Sequence, residues 1–379
     1  MSVYWNDRVR RLDPYIPGEQ PRNRKFIKLN TNENPYPPPP EVVGAIREEA
    51  GDGLRFYPDP SCLRPRLAIA ERYGVRPEQV FVGNGSDEVL AFAFAAFFGA
   101  GAAPDEDDAA VPPLLFPDIT YSFYPVYAGL WDIPFKTVPL TKDFTITVSS
   151  YCVNSGGVVF PNPNAPTGIA LRAEEILPIV ECQGRNNRVV IVDEAYGAFA
   201  GSGPLPGRGF LGAESAAPYI DRYPNLLTVH TLSKMASLAG LRAGFAIGNE
   251  ALIEGLCRVR DSFNSYPVDR LAQAGIAAAM AGTAGYAETI RKVIATRERI
   301  IPALRETGFE TLPSAANFVF IRHPAKTGAA LFTALRERGI LVRRWDRDRI
   351  ADFLRVSIGT DAEMDEFLSA ARQIAGIEE

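Results

Sequence analysis

The 379-residue chain has little of what usually builds metal sites or disulfide scaffolds. It carries two histidines, His230 and His323, and four cysteines, Cys62, Cys152, Cys182 and Cys257. No C-x-x-C pair occurs and the histidines lie far apart in sequence, which argues against a zinc site. The same scarcity predicts reduced thiols in a cytoplasmic protein. A long apolar run is also missing. The most apolar stretch, Val89 to Phe98, falls well short of the roughly 20 residues a membrane helix needs, and it predicts a buried helix instead. The opening MSVYWNDRVRRLDPY lacks the apolar core of a signal peptide. Basic excess is absent as well, since the formal net charge is −5 and the pI about 5.4. That excludes the electrostatic footprint of a nucleic-acid binder. Lysine is scarce in its own right, with seven against 33 arginines.

What remains is ordinary globular material, 46% apolar and 22% charged, long enough for two domains. The run Pro35 to Pro40 can be neither helix nor central strand, so it reads as an extended crossing segment. From about residue 64 to 250, helical patterns such as 64–73 and 86–98 alternate with short apolar runs at 79–82, 157–160, 189–192, 226–229 and 244–247. This alternation predicts an α/β domain with a mainly parallel sheet buried on both faces. After 250 a long helical stretch, broken near Tyr266–Pro267, leads into strands at 317–321, 340–342 and 353–358, a helix at 327–338 and a terminal helix. The expected division is a large α/β domain over 41–265 and a smaller α+β unit made of 1–40 with 266–379. The arginines at 343, 344, 347 and 349 read as a solvated loop, Arg343 apart, and Asp105 to Asp108 as an exposed turn.

Four segments, each just past an expected strand, carry the chemistry, because open α/β sheets bind ligands beyond the carboxyl ends of their strands. Gly83-Asn84-Gly85-Ser86-Asp87 precedes a helix and suits an anion: glycines let backbone N–H groups approach, and the helix start adds free donors. A turn with an N-cap is the alternative, and no P-loop lysine follows. Asn162 to Gly168 forms a proline-stiffened loop able to aim an amide, or simply an Asx turn. Val189 to Val192 ends in Asp193-Glu194-Ala195-Tyr196. A carboxylate there is costly without a partner; a protonated ring nitrogen, a magnesium ion or a helix start would serve. Thr231-Leu232-Ser233-Lys234 places a rare lysine past an apolar strand, with Arg242 eight positions on. Desolvation near another cation lowers a lysine pKa and makes it nucleophilic. Together the four supply what pyridoxal 5'-phosphate requires: a phosphate cradle, a carboxylate for the pyridine nitrogen, a nearby tyrosine, an amide and a lysine.

In the pieces LDPY, LNTNENPYPPPP, RFYPDP, GNGSDE, PDITYSFYPVYAG, PNAPTG, VDEAY, TLSKMASLAGLRAGF and LRVSIGT, which span nearly the whole chain, the sequence resembles the fold-type-I pyridoxal-phosphate aminotransferases, and among them the histidinol-phosphate aminotransferase family. The resemblance implies a large domain with a mostly parallel seven-stranded sheet flanked by helices, plus a smaller α+β domain. It implies ping-pong transamination through a Lys234 aldimine, from histidinol phosphate to 2-oxoglutarate. By the same resemblance Asp193 holds the pyridine nitrogen protonated, Tyr196 and Asn164 bond the phenolic oxygen, and Tyr121 stacks on the ring. The backbone at Ser86 and Asp87 binds the phosphate with Thr231, Ser233 and Arg242, and Tyr57 reaches it across a homodimer interface. Arg355 and Arg343 match the substrate-anion arginines, and Tyr15 and Asn32 cover the site. One departure stands out: Ala165 replaces the asparagine that usually precedes Pro-Thr-Gly, so Asn164 is expected to serve from one residue earlier. Met235 and Ser237 are also less usual and read as packing variation. An aromatic amino acid aminotransferase and a decarboxylase of a phosphorylated amino acid share the same cofactor residues.

Overall fold

The computed structural model describes residues 3–21, 25–99, 112–201, 215–282 and 284–376; the acidic stretch Asp105 to Asp108 lies outside them. Its centre is a seven-stranded sheet. Across it run Val80–Asn84, Ala243–Gly248, Leu226–Thr231, Val190–Asp193, Val158–Pro161, Leu114–Pro117 and Phe135–Val138. The pairings are parallel except where Ala243–Gly248 runs antiparallel to both neighbours.

The apolar runs are strands because both faces are covered. Val158, Phe160, Val190 and Val192 point into one core cluster, and Val159, Ile191, Leu227 and Val229 into the other. Period-2 alternation therefore buries every residue of the run. Burial of this kind contributes about 25 cal/mol per Å² of apolar surface. The stretch expected to be a buried helix is one, Ser86–Phe97, with Val89, Leu90, Phe92 and Phe94 buried. The runs Leu114–Pro117 and Phe135–Val138 were not apparent as strands. Leu114–Pro117 is apolar and buried throughout but only four residues long and preceded by two prolines, whereas Phe135, Lys136 and Thr137 of the second, an edge strand, are exposed, so that strand carries no apolar repeat.

Register decides what meets at the sheet edge. Asp193 pairs with Pro161 on one side and Val229 on the other, so the carboxyl ends at Pro161, Asp193 and Thr231 lie together. Because Ala243–Gly248 is antiparallel, its first residues sit beside Thr231 and Asn84. Arg242 is thereby delivered to the same edge.

The smaller unit has an antiparallel sheet in the order Arg343–Arg344, Leu354–Ser357, Phe318–Arg322, Glu310–Thr311. The N-terminal segment joins this unit by pairing Ile27–Lys28 with Ile340–Leu341. The helix just past residue 265, Arg270–Ala281, packs on Pro40–Glu49 and Leu63–Tyr73. Gly275 permits that approach, since a Cβ there would press on Leu241 and Ile46. The next helix, Ala284–Glu306, contacts the terminal helix Asp361–Ala375.

Two expectations need correction. Cys152 and Cys182 form a disulfide, Cα atoms 5.5 Å apart, while Cys62 and Cys257 are free. The pair is 30 residues apart in sequence and meets only because a short turn at 148–151 packs on the helix Ala173–Gly184. The arginine cluster is also more than a solvated loop. Arg347 donates to the Asp118 carbonyl, and Arg349 to the Asp118 carboxylate and the Thr141 carbonyl, tying the small unit to the large one. Among the described residues no helix is long and apolar enough to cross a membrane.

Candidate active site

The carboxyl edge of the sheet, the N-terminal segment and the small sheet enclose a cavity of about 390 Å³. Tyr15, Asn32, Ser86, Asp87, Tyr121, Asp193, Tyr196, Thr231, Ser233, Lys234, Arg242, Arg343 and Arg355 all line it.

Lys234 lies on a single helical turn, Leu232–Met235, that begins where the strand ends. The Thr231 hydroxyl oxygen accepts the Ser233 N–H at 3.1 Å and starts the turn. The Lys234 Nζ donates to the Thr31 carbonyl at 2.9 Å. Burial, aided by the Arg355 charge, pushes its pKa down to about 8, so an appreciable fraction is free amine near neutrality.

Asp193 closes the central strand and is buried. It accepts from the Tyr124 hydroxyl and the Ala195 N–H, both at 3.1 Å. Burial raises its pKa to about 6, against those two bonds, and among the described residues no cation pairs with it. Glu194, next in sequence, points elsewhere, accepting from the Ser215 hydroxyl at 2.6 Å and the Ala216 N–H at 2.7 Å. Adjacent carboxylates at a strand end diverge because successive side chains take opposite faces.

The anion cradle forms at the start of Ser86–Phe97. Gly85 is the N-cap, makes no side-chain cap bond and has φ +83°, so the first N–H groups keep their donor capacity, although Asp87 and Glu88 stand in the same first turn. Gly244 backs directly on this turn, since a Cβ there would strike the backbone of Gly85 and Ser86. The Arg242 guanidinium lies against Gly85 and binds Asp87 at 2.9 Å. The other Asp87 oxygen accepts from the Tyr121 hydroxyl at 2.8 Å, which holds that ring at the cavity wall.

Arg355 and Arg343 come from neighbouring strands of the small unit. The Arg355 Nη2 donates to the Asn30 carbonyl at 2.9 Å, and its Nε is buried without a partner. Among the described residues neither arginine pairs with a carboxylate. Tyr15 stacks on Phe123, centroids 4.6 Å apart, at the mouth.

One expected residue is not brought in. The Asn164 amide donates to the Ile119 carbonyl at 3.1 Å and the Thr167 hydroxyl at 3.0 Å, which holds its own loop together, and it does not line the cavity. Ala165 does. Tyr57, whose expected role lies across a dimer interface, is 77% exposed and stacks on Tyr266 outside its own chain's cavity. Tyr124, the partner of Asp193, was missed; its position three residues after Tyr121, on the same turn of chain, was the available signal. Ser357 was missed too, two residues beyond Arg355 on one strand face.

The pocket fits a phosphorylated pyridine aldehyde: a buried carboxylate lacking a cation, an uncapped helix start with a guanidinium beside it, and an amine between them. The chain matches the family model for class I and II aminotransferases over residues 24–370. It is 53% identical over 377 residues to histidinol-phosphate aminotransferase 1 of Bordetella parapertussis, covering 99% of both chains. It is 51% identical over 374 residues to the histidinol-phosphate aminotransferase of Acetobacter pasteurianus, covering 99% of this chain and 98% of that one. The structure of histidinol-phosphate aminotransferase from Sinorhizobium meliloti in complex with pyridoxal-5'-phosphate superposes with a TM-score of 0.81 at 24% identity, covering 99% and 98% of the two chains. L-threonine-O-3-phosphate decarboxylase from Porphyromonas gingivalis superposes at 0.75 with 20% identity, covering 92% and 99%. At such identities the structures establish the fold, which transaminases and a decarboxylase share. The family model and the half-identical, full-length relatives go further: this chain belongs to the class I and II aminotransferases, among the histidinol-phosphate aminotransferases.

Proposed function

We propose that the enzyme moves the amino group of histidinol phosphate to 2-oxoglutarate, with pyridoxal 5'-phosphate carried on Lys234. The observation that carries the substrate is the pair Arg355 and Arg343, two guanidiniums lining the cavity with Lys234 and lacking carboxylate partners among the described residues. A guanidinium fork takes a phosphate or a carboxylate bidentately, so one site suits both the phosphate of the donor and a carboxylate of the acceptor. The half-identical relatives are named histidinol-phosphate aminotransferases, which supports the donor.

When bound, pyridoxal phosphate supplies an aldehyde that condenses with amines and a ring that takes up the electron pair left at the substrate Cα. The chain's own residues do the rest. The Lys234 Nζ, its pKa lowered to about 8 by burial and Arg355, carries the cofactor and then takes the proton from the substrate Cα. The Asp193 carboxylate holds a proton on the ring nitrogen, an assignment supported by its burial without a cation. Ser86, Asp87, Thr231, Ser233 and Arg242 anchor the phosphate, Tyr121 walls one ring face, and the Tyr196 hydroxyl donates toward the phenolic oxygen. Asn164 drops out of this set, its amide being engaged elsewhere.

A homodimer completes the proposal. Leu54, Phe56, Tyr57, Phe263 and Tyr266 are exposed, and Tyr57 and Tyr266 stack in one patch. A second copy would cover it and would receive the Tyr57 hydroxyl at its own phosphate. The setting proposed is the cytoplasm, since charged phosphate esters do not cross lipid bilayers.

The purified protein with added pyridoxal phosphate is expected to turn yellow, and borohydride should fix the cofactor to the peptide holding Lys234. Histidinol phosphate should be preferred to phenylalanine as donor. A preference for phenylalanine overturns the substrate, and carbon dioxide release without a 2-oxo acid requirement overturns the reaction.

A further inference from the structure

Asn32 lies at the cavity wall, 1% exposed, with φ +54°. Asparagine tolerates that left-handed backbone better than other non-glycine residues. Three neighbours fix it. The Asn32 backbone N–H donates to the Ser357 Oγ at 2.8 Å. A backbone N–H can only donate, so the Ser357 hydroxyl uses an oxygen lone pair there. Its own proton then goes to the Asn32 Oδ1, 2.9 Å away. Asn317 donates to the Asn32 carbonyl at 2.9 Å. With Oδ1 committed to Ser357, the Asn32 Nδ2 faces the other way and donates to the Tyr196 Oη at 2.9 Å. The amide orientation is thus set by bonding logic, the only basis on which amide oxygen and nitrogen can be told apart.

Tyr196 therefore receives a hydrogen bond on its oxygen. Among the described residues nothing accepts its proton, and the residue lines the cavity. A hydroxyl that accepts one bond becomes a stronger donor of the next, because the chain polarises cooperatively.

We infer that Ser357 and Asn32 are positioning residues for Tyr196: they orient its hydroxyl and strengthen its donation to the cofactor's phenolic oxygen. This rests on the proposed reading of the cavity as a pyridoxal-phosphate site. It also bears on Ala165. The amide donor missing from that position and not supplied by Asn164 is present one step back, acting on the cofactor through Tyr196. Ser357 and Arg355 share one strand and one face, at i and i+2, so one rigid element holds both the anion site and the orientation of Tyr196.

The test reads the pH midpoint of the visible absorption band of the cofactor-loaded enzyme. The phenolic oxygen is more negative in the deprotonated chromophore, so a donor to it lowers the midpoint. Ser357→Ala frees the Asn32 amide to turn and should raise the midpoint by about half a pH unit, a fraction of one hydrogen bond. In a Tyr196→Phe background the same substitution should leave the midpoint where Tyr196→Phe alone puts it. Asn32→Gly, which keeps the left-handed backbone and removes the amide, should match Ser357→Ala and serves if that variant does not fold. No shift in the parent background, or an equal shift in both, overturns the inference. Failure of the parent to form any chromophore on Lys234 overturns the proposed cofactor site instead.

Discussion

Arg355 stands directly opposite Arg343 on adjacent antiparallel strands, and their guanidinium carbons lie 5.2 Å and 5.6 Å from the centroid of the Trp345 ring. Burial of Arg355 is the main cause of its lowered pKa, and the Arg343 charge adds to it. Two like charges beside one aromatic ring at a cavity wall repel each other, and an anion bound between them relieves that repulsion.

Arg355→Ala should therefore lower kcat/KM for histidinol phosphate roughly 30- to 150-fold, the worth of a charge-assisted hydrogen bond of about 2–3 kcal/mol. The visible spectrum of the bound cofactor should survive the change. Steady-state kinetics and a wavelength scan check the two halves, and an unchanged kcat/KM would remove Arg355 from substrate binding.

Asp193 leads to a pH prediction. Its folded pKa of about 6 is raised above the ordinary carboxylate value, chiefly by burial. For an acid this sign means the folded protein binds the proton more tightly than the unfolded one. Without cofactor, its contribution is neutral below the ordinary pKa near 4 and grows destabilising as pH rises through about 6. Asp193→Asn should then gain stability relative to the parent as pH goes from 4 to 7, both measured without cofactor. With pyridoxal phosphate added, the parent should recover and the variant should not. Thermal melts across that window check both, and a pH-independent difference would contradict the assigned ionisation.

Gly85→Ala tests the cradle. The backbone there has φ +83°, and a Cβ would come within 2.6 Å of the Arg242 guanidinium. With ψ 161° this backbone is one that glycine adopts almost alone, so another residue there costs about 1–3 kcal/mol, and the displaced arginine should weaken phosphate binding further. The expected result is a modest loss of melting temperature and a larger rise in the cofactor dissociation constant, read by equilibrium dialysis. A drop in stability with unchanged cofactor affinity would assign Gly85 to the fold alone.

The exposed patch around Tyr57 is tested by charge. Phe56→Asp should leave the fold intact, since the side chain is solvent-exposed in the single chain, and should shift the sedimentation profile from dimer to monomer. Tyr57→Phe should keep the dimer and weaken cofactor affinity by a few-fold. A monomeric parent protein would remove the basis of both.

Much of the catalytic edge was legible in the sequence because it follows from local rules. A run such as Val189 to Val192 has to be a doubly buried strand, and a lysine or carboxylate just past such a run has to lie at the sheet's carboxyl edge. Lys234, Asp193, Ser86 and Arg242 all meet there. The edge strand Phe135–Val138 was less legible, because a strand with one covered side carries a weaker pattern. The disulfide between Cys152 and Cys182 had no local signal at all.

The sequence by itself determined which chemical groups are available and, through periodicity, which end of the sheet they occupy. Which group touches which was decided by tertiary structure. Asn164 and Asn32 are both buried asparagines in loops, and nothing local says that one turns to Ile119 while the other turns to Tyr196. That choice depends on Ser357, 325 residues from Asn32, brought there by the register of a small antiparallel sheet. Hydrogen bonds act over about 3 Å, and chain positions that far apart in sequence are set to that precision only by packing.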